Sequence, residues 1–229
     1  MQGSSKHRNI VQSWSVEDVS TDSDEFLPSI GSLHDVLHEK KPPSFLKWGV
    51  CYKIATGIAR GLAYLHDCDP PVVHCAITPK NIFLDSDMEP RIADFGAAKL
   101  LFQSFTTPSS SILGTPGTKK LYATTITREF DVYSYGIVLL QLTTRKKAID
   151  SSFMGGTEIG VWVRSLWEET GDILKIVNSS LAEEVLKSNS NVLKQVTEVL
   201  SLALSCTEEI FKEPFWEKKG TTHHDLSVA

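Results

Sequence analysis

The chain has 229 residues, 41% of them hydrophobic and 22% charged, with a formal charge of −5 from 23 Lys and Arg against 28 Asp and Glu. A chain of that length buries roughly 70% of its unfolded surface, enough for one core without disulfides or metal staples, and its composition excludes a collagen-like or disordered protein. Basic runs are short and scattered, as in Arg145-Lys146-Lys147 and Lys119-Lys120, which argues against a nucleic-acid partner.

Residues 1–30 are polar, with acidic stretches at Glu17-Asp18 and Asp22 to Glu25 and no periodicity, and read as a loose leader. Ser32 to His38 reads as a short helix that Pro42-Pro43 stops. A long helix is predicted between Leu46 and His66, because Val50, Ile54, Ile58, Leu62 and Leu65 recur every three or four residues and so share a face. Val72-Val73, Ile82-Phe83-Leu84 and Arg91-Ile92-Ala93 read as short strands, with a turn at Asp85-Ser86-Asp87. Residues 101–127, rich in Ser, Thr, Gly and Pro, read as a long surface loop.

A helix from about Arg128 to Thr144 carries Val132, Tyr135, Gly136, Val138, Leu139 and Leu142, apolar nearly all round, and is predicted as the central buried helix. Amphipathic segments follow from Glu158 to Glu169 and from Val192 to Cys206, before a polar tail. The predicted architecture is α+β and mainly α, without internal repeats. The four cysteines, Cys51, Cys68, Cys75 and Cys206, form no C-x-x-C pair and no zinc run, as suits reduced cytosolic thiols. There is no apolar signal segment and no glycine at position two for myristoylation. The longest apolar run, Gly136 to Leu140, is far short of the ~18 residues of a membrane span. The expectation is a cytoplasmic chain without a membrane segment, in which the glycosylation triplet Asn178-Ser179-Ser180 goes unused.

Three strings stand in order: His74-Cys75-Ala76-Ile77-Thr78-Pro79-Lys80-Asn81, then Asp94-Phe95-Gly96, then Asp131-Val132-Tyr133-Ser134-Tyr135-Gly136. They resemble the large lobe of a protein kinase, where a catalytic loop H-R-D-x-x-x-x-N precedes D-F-G and a later Asp of the buried central helix. Gly31-Ser32-Leu33, ahead of a long helix ending Gly61-Leu62-Ala63-Tyr64-Leu65-His66, adds to the likeness. Gly31 to His38 and Val161-Trp162-Val163-Arg164-Ser165 are similar to plant leucine-rich-repeat receptor-like serine/threonine kinases, and among them to receptors for endogenous danger peptides. The resemblance covers Gly31 to Cys206. It implies a protein-kinase-like large lobe over 31–206, a poorly ordered leader over 1–30 with a remnant of the small lobe, and a polar tail over 207–229. Lys6 to Val11 resembles the segment joining the small-lobe helix to its next strand. The family it implies is anchored in the plasma membrane with a cytosolic kinase domain.

Phosphoryl transfer is catalysed by positioning and electrostatic stabilisation, so a kinase needs a phosphate cradle, metal ions and a carboxylate for the substrate proton. By the resemblance, Ala76 occupies the position of that catalytic carboxylate, Cys75 that of the H-R-D arginine and Thr78 that of the catalytic-loop lysine. Loss of a general base costs ~10² to 10⁴ in rate. Asn81 and Asp94 match the residues that hold magnesium, and one amide with one carboxylate holds a cation weakly. Phe83 replaces the leucine that usually floors the adenine pocket and is expected to crowd it. Neither G-x-G-x-x-G nor a V-A-I-K-like string precedes Gly31, so the small lobe is expected to be largely absent. No cofactor is firmly implied, and weak binding of Mg2+ and ATP is the most these residues offer.

Gly114-Thr115-Pro116-Gly117 resembles the start of the family's substrate loop, but Thr118-Lys119-Lys120-Leu121-Tyr122 replaces its continuation, and the Glu is missing. His74, Phe95, Gly96 and Asp131 are structural by the same resemblance, with Asp131 accepting backbone N–H bonds from the catalytic loop. Tyr133, Tyr135 and Trp162 read as core. Asp94 has two readings, a metal ligand or a semi-buried carboxyl with a raised pKa. Ser104 to Ser111 reads equally as a phosphorylation target or a solvated loop. Three functions stand: an inactive kinase-like signalling module, a pseudokinase, whose partners are proteins including receptor kinases; a serine/threonine kinase that phosphorylates proteins with ATP; or a truncated product without function. Ala76 favours the first.

Overall fold

A computed structural model of the chain describes residues 7–11, 29–38, 46–101, 126–153, 156–188 and 190–208. The stretch Ser104 to Ser111, the string Gly114 to Tyr122 and the tail beyond Glu208 lie outside the described residues.

Helix α2 spans Trp48–His66, and Ile54, Ile58, Leu62 and Leu65 are buried as their spacing demands. Trp48, Cys51 and Ala55 extend the buried stripe, while Val50 is only half-buried. No side chain within α2 caps its start. Instead the Trp48 N–H donates to Glu184 Oε2 at 2.9 Å, satisfying a first-turn amide that has no partner within the helix.

Helix α3, Glu129–Thr144, is buried without interruption from Tyr133 to Thr144. Val132, in the first turn and next to the fully buried Asp131, is the exception at 39% exposed. The Tyr135 hydroxyl donates to the Ala55 carbonyl of α2 at 3.0 Å. On the other side of α3 lies α7, Ser190–Cys206. A Cβ on Gly136 would stand 2.7 Å from Cys206 Cβ and 3.0 Å from the Ala203 carbonyl oxygen, so the bare glycine is what lets the two helices meet.

The strands are short. Strand β1, Ser29–Ser32, leads directly into α1, Leu33–His38, and β2 is Val72–Val73; β3, Ile82–Asp85, and β4, Pro90–Ile92, follow, with β5 at Lys99–Leu100. β1, β3 and β4 form one antiparallel sheet in that order, and β2 pairs antiparallel with β5. Along β3 the side chains alternate as strand geometry requires: Ile82 and Leu84 face the core and Phe83 faces out. β1 and β5 are absent from the sequence reading because two to four residues show no alternation against a polar background.

Helix α4, Ile159–Thr170, agrees with the amphipathic spacing. The sequence reading lacks α5, Ile173–Ile176, and α6, Ser179–Lys187, which are too short for a periodic window. Their signals are the caps: Asp172 Oδ1 accepts the Leu174 N–H at 2.9 Å and Asn178 Oδ1 the Leu181 N–H at 3.1 Å. Asn178 also donates through Nδ2 to the Thr143 carbonyl at 2.9 Å, so the asparagine of the glycosylation triplet ties α6 to the end of α3.

The loose-leader reading is corrected at residues 7–11, which are built into the lobe. Ile10 is buried and pairs in parallel with Ile92; the Ile92 N–H donates to Asn9 O at 2.9 Å and the Val11 N–H to Ile92 O at 3.0 Å. Asn9 Nδ2 donates to Glu89 Oε1 and to the Pro90 carbonyl, both at 2.8 Å. Glu89 also takes Arg8 at 2.8 Å and Lys53 at 3.4 Å. Burial pushes the Glu89 carboxyl up, but the bonds from Asn9, Arg8 and Lys53 prevail and hold it below the usual range. A five-residue segment bound through one buried polar residue carries no periodicity, so pattern reading cannot find it. None of the four cysteines is in a disulfide, and no described helix is long and apolar enough to cross a membrane.

Candidate functional site

The loop after β2 is organised from below by Asp131, fully buried in the first turn of α3. Its Oδ2 accepts the His74 N–H at 2.8 Å and its Oδ1 the Cys75 N–H at 2.9 Å. His66, at the end of α2, brings Nε2 to 2.9 Å from Oδ2. Two successive amides on one carboxyl hold Cys75 in the left-handed region at φ 63, a conformation that costs a non-glycine residue roughly 1–2 kcal/mol.

His74 is wholly buried and joins two loops. Its Nε2 donates to the Ala93 carbonyl at 3.0 Å, its Nδ1 accepts the Ala76 N–H at 3.3 Å, and its ring meets Phe95 edge-on with centroids 4.7 Å apart. Asn81, ending the 3-10 turn Pro79–Asn81, donates through Nδ2 to the Ala76 carbonyl at 2.9 Å, and its own carbonyl accepts the Ala93 N–H at 2.9 Å. The backbone on both sides of Ala76 is therefore held, while the side chain at its centre is a methyl. Thr78 precedes the turn in an extended conformation and is half-buried.

Asp94 departs from the semi-buried reading: it is exposed. Its φ of 63 and ψ of 70 place it at the start of the 3-10 turn Phe95–Ala97, which turns the carboxyl away from the core. Gly96 is exposed, and a Cβ there would meet only Asp94 Oδ1, at 3.4 Å. Phe83 stands 36% exposed on the outer face of the sheet, between Ser32 of β1 and Arg91 of β4. The Cys75 thiol is pushed up to about 12 by burial and by the neighbouring Asp131, so it is no nucleophile at neutral pH. Tyr133 and Tyr135 are core residues, and Trp162 is half-buried and stacks on Phe153 at 5.0 Å.

The profile of the protein kinase domain matches residues 1–159. The chain belongs to the protein kinase family. It is 51% identical over 221 residues to a receptor-like protein kinase of Ipomoea nil, covering 93% of this chain and 20% of that protein. It is 43% identical over 220 residues to the leucine-rich repeat receptor-like protein kinase PEPR1 of Arabidopsis thaliana, covering 90% of this chain and 19% of the relative, and 41% identical over 216 residues to PEPR2 of the same plant, covering 89% and 20%. The chain thus spans about a fifth of the length of these relatives. It is a mainly α, kinase-like domain of plant receptor-like kinase descent.

In this kinase-like domain Asn81 and Asp94 supply one amide and one carboxyl oxygen donor. Magnesium takes six oxygens in near-ideal octahedral geometry, so the pair does not make a metal site by itself and would depend on nucleotide phosphate and water for the rest. No group of three or more His, Cys, Asp or Glu able to hold a metal occurs among the described residues. The sequence reading missed His66, whose only signal is a polar residue ending an amphipathic helix. It missed the Asn9–Glu89 anchor as well, because spacing along the chain names faces and not partners across 80 residues.

His74 makes this loop sensitive to acid. Its two nitrogens are both used only in the neutral ring, one as donor and one as acceptor, and burial lowers its pKa, with Asp131 opposing. The unfolded chain takes up that proton near pH 6.5, and the folded chain takes it up only at lower pH. The associated stability is present above about pH 6.5 and is lost as the pH falls below it. His34 and His38 are lowered in the same direction by burial. Urea titrations between about pH 7.5 and 5.5 are expected to show falling midpoints, and a constant midpoint would contradict this account.

Proposed function

We propose that this kinase-like domain does not transfer phosphate and serves as an interaction module in signalling by receptor-like kinases. The observation that carries the reading is Ala76. Its N–H is bound by His74 Nδ1 and its carbonyl by Asn81 Nδ2, so the loop keeps its shape around a side chain that cannot receive a proton. A substrate hydroxyl brought to this loop would stay protonated. The developing charge of a phosphoryl group would meet Thr78, which is neutral, and the neutral thiol of Cys75 would not receive a phosphorylated loop as an arginine does.

Loss of base function alone removes ~10² to 10⁴ in rate, and the neutral residues beside it remove charge stabilisation as well. Ala76→Asp by itself is therefore expected to leave transfer at the blank level. Incubation of the purified full chain with radiolabelled ATP, magnesium or manganese, and a generic protein substrate checks both statements. Label incorporated by the unmodified chain, with contaminating kinases excluded by mass spectrometry, would sink the proposal, and label incorporated by the single variant would sink its second part.

The names of the relatives support a partner class. They are named as receptor-like protein kinases, so the partners proposed are cytosolic kinase domains of such receptors, met at the plasma membrane. Surface plasmon resonance against an immobilised receptor-like kinase domain is expected to show micromolar binding that does not require ATP.

A further inference from the structure

Arg145 follows Asp131 by 14 residues, about 21 Å along the axis of α3 at 1.5 Å per residue. There, far from the kinase loops, the chain forms a cleft of about 520 Å3 between the start of α2 and α6. Leu46, Trp48 and Cys51 line one side and Leu181 the other, with Arg145 between them. The volume falls in the range of small-molecule sites, which pair apolar walls with a few converging polar groups.

Arg145 is unusual twice over. It closes α3 in the left-handed region, φ 60, with its N–H donating to the Gln141 carbonyl at 2.9 Å. Glycine is the usual residue there, because a Cβ is crowded at positive φ, and a backbone outlier of this kind points to a role for the side chain. The guanidinium is also a cation without an anion. Nη2 donates to the Leu46 carbonyl at 3.1 Å and to Cys51 Sγ at 3.7 Å, but Nε and Nη1 have no partner and no contact with solvent. None of the ion pairs among the described residues includes Arg145.

Neither acid in the wall forms an ion pair with Arg145. Glu184 accepts the Trp48 N–H at 2.9 Å, and Glu183 pairs with Lys187 at 3.1 Å. Lys187, the partner of Glu183, and Lys47 are exposed at the rim, so the lining carries three cations against two acids. Burying a charge without a partner is costly, and a guanidinium matches an oxyanion in both charge and donor geometry.

We infer that this cleft binds a small organic acid, its carboxylate on Arg145 and its apolar body against Leu46, Trp48 and Leu181. A monoanion balances the charge of the half-buried Arg145, and the rim lysines draw it in. Because Nε and Nη1 are sealed, entry of the acid turns the guanidinium toward the cleft and exchanges the Leu46 carbonyl for the ligand's oxygens. The site lies apart from Ala76 and stands whether or not the domain transfers phosphate.

Isothermal titration calorimetry on the full chain tests this with decanoate, decanol and phenyl phosphate as probes. Decanoate is expected to bind at least about tenfold more tightly than decanol, and Arg145→Gly is expected to weaken decanoate at least about tenfold without weakening decanol. Glycine suits the positive φ, so that variant should keep its circular dichroism spectrum. If it does not fold, the comparison of decanoate with decanol on the unmodified chain still decides. Equal binding of the two, undiminished decanoate binding by the folded glycine variant, or no binding at millimolar decanoate overturns the site. Phenyl phosphate binding more tightly than decanoate overturns the carboxylate assignment.

Discussion

Asp131→Ala is expected to destabilise the chain by about 3–5 kcal/mol, a large part of the 5–15 kcal/mol that holds a typical domain together. The side chain is wholly buried, and three donors converge on it: the His74 N–H, the Cys75 N–H and the His66 ring. Removing it leaves two backbone amides without an acceptor, at about 1–3 kcal/mol each. It also frees Cys75 from the carboxyl that holds its left-handed backbone. Asp131→Asn should fall between the two, since one oxygen can still accept one amide while its NH2 group faces the other. Urea denaturation of the three chains measures the series. An alanine variant within about 1 kcal/mol of the parent would show that water replaces the carboxyl, and the account of the loop would fail.

Gly136→Val should cost about 3 kcal/mol through overpacking. Its Cβ would press on Cys206 Cβ at 2.7 Å and on the Ala203 carbonyl oxygen at 3.0 Å, and a carbonyl inside a helix has little room to retreat. The expected consequence is separation of α7 from α3, read as a lower and broader thermal transition. Gly160→Ala, in α4, is the matched control. A Cβ there meets nothing closer than 3.8 Å, so that change should be neutral or mildly stabilising by helix propensity. If valine at 136 melts with the parent, the two helices do not meet as closely as described.

The kinase-like character is legible in the order of three short strings, because the family's loop gives each of its residues a chemical duty of its own. Ala76, Thr78 and Cys75 can be read for what they lack without knowing where they lie. The helices α2, α3, α4 and α7 are legible too, since a buried stripe recurring at helical spacing needs no partner to be recognised. Asp94 is the instructive failure: of its two readings, the semi-buried carboxyl is excluded, because a residue with left-handed φ at the start of a 3-10 turn stands exposed there. The strands β1 and β5 and the helices α5 and α6 fall below the length at which periodicity exists.

By itself the sequence determined which faces are apolar and that position 76 carries a methyl group, which cannot accept a proton. These are properties of side-chain chemistry and local spacing. Tertiary structure alone decided that His66 meets Asp131, that Asn9 reaches Glu89, that Glu184 caps a helix begun 136 residues earlier, and that Arg145 is left with two idle donors. Hydrogen bonds and ion pairs form between atoms within about 3 Å, and the distances that select those partners exist only once the helices have packed.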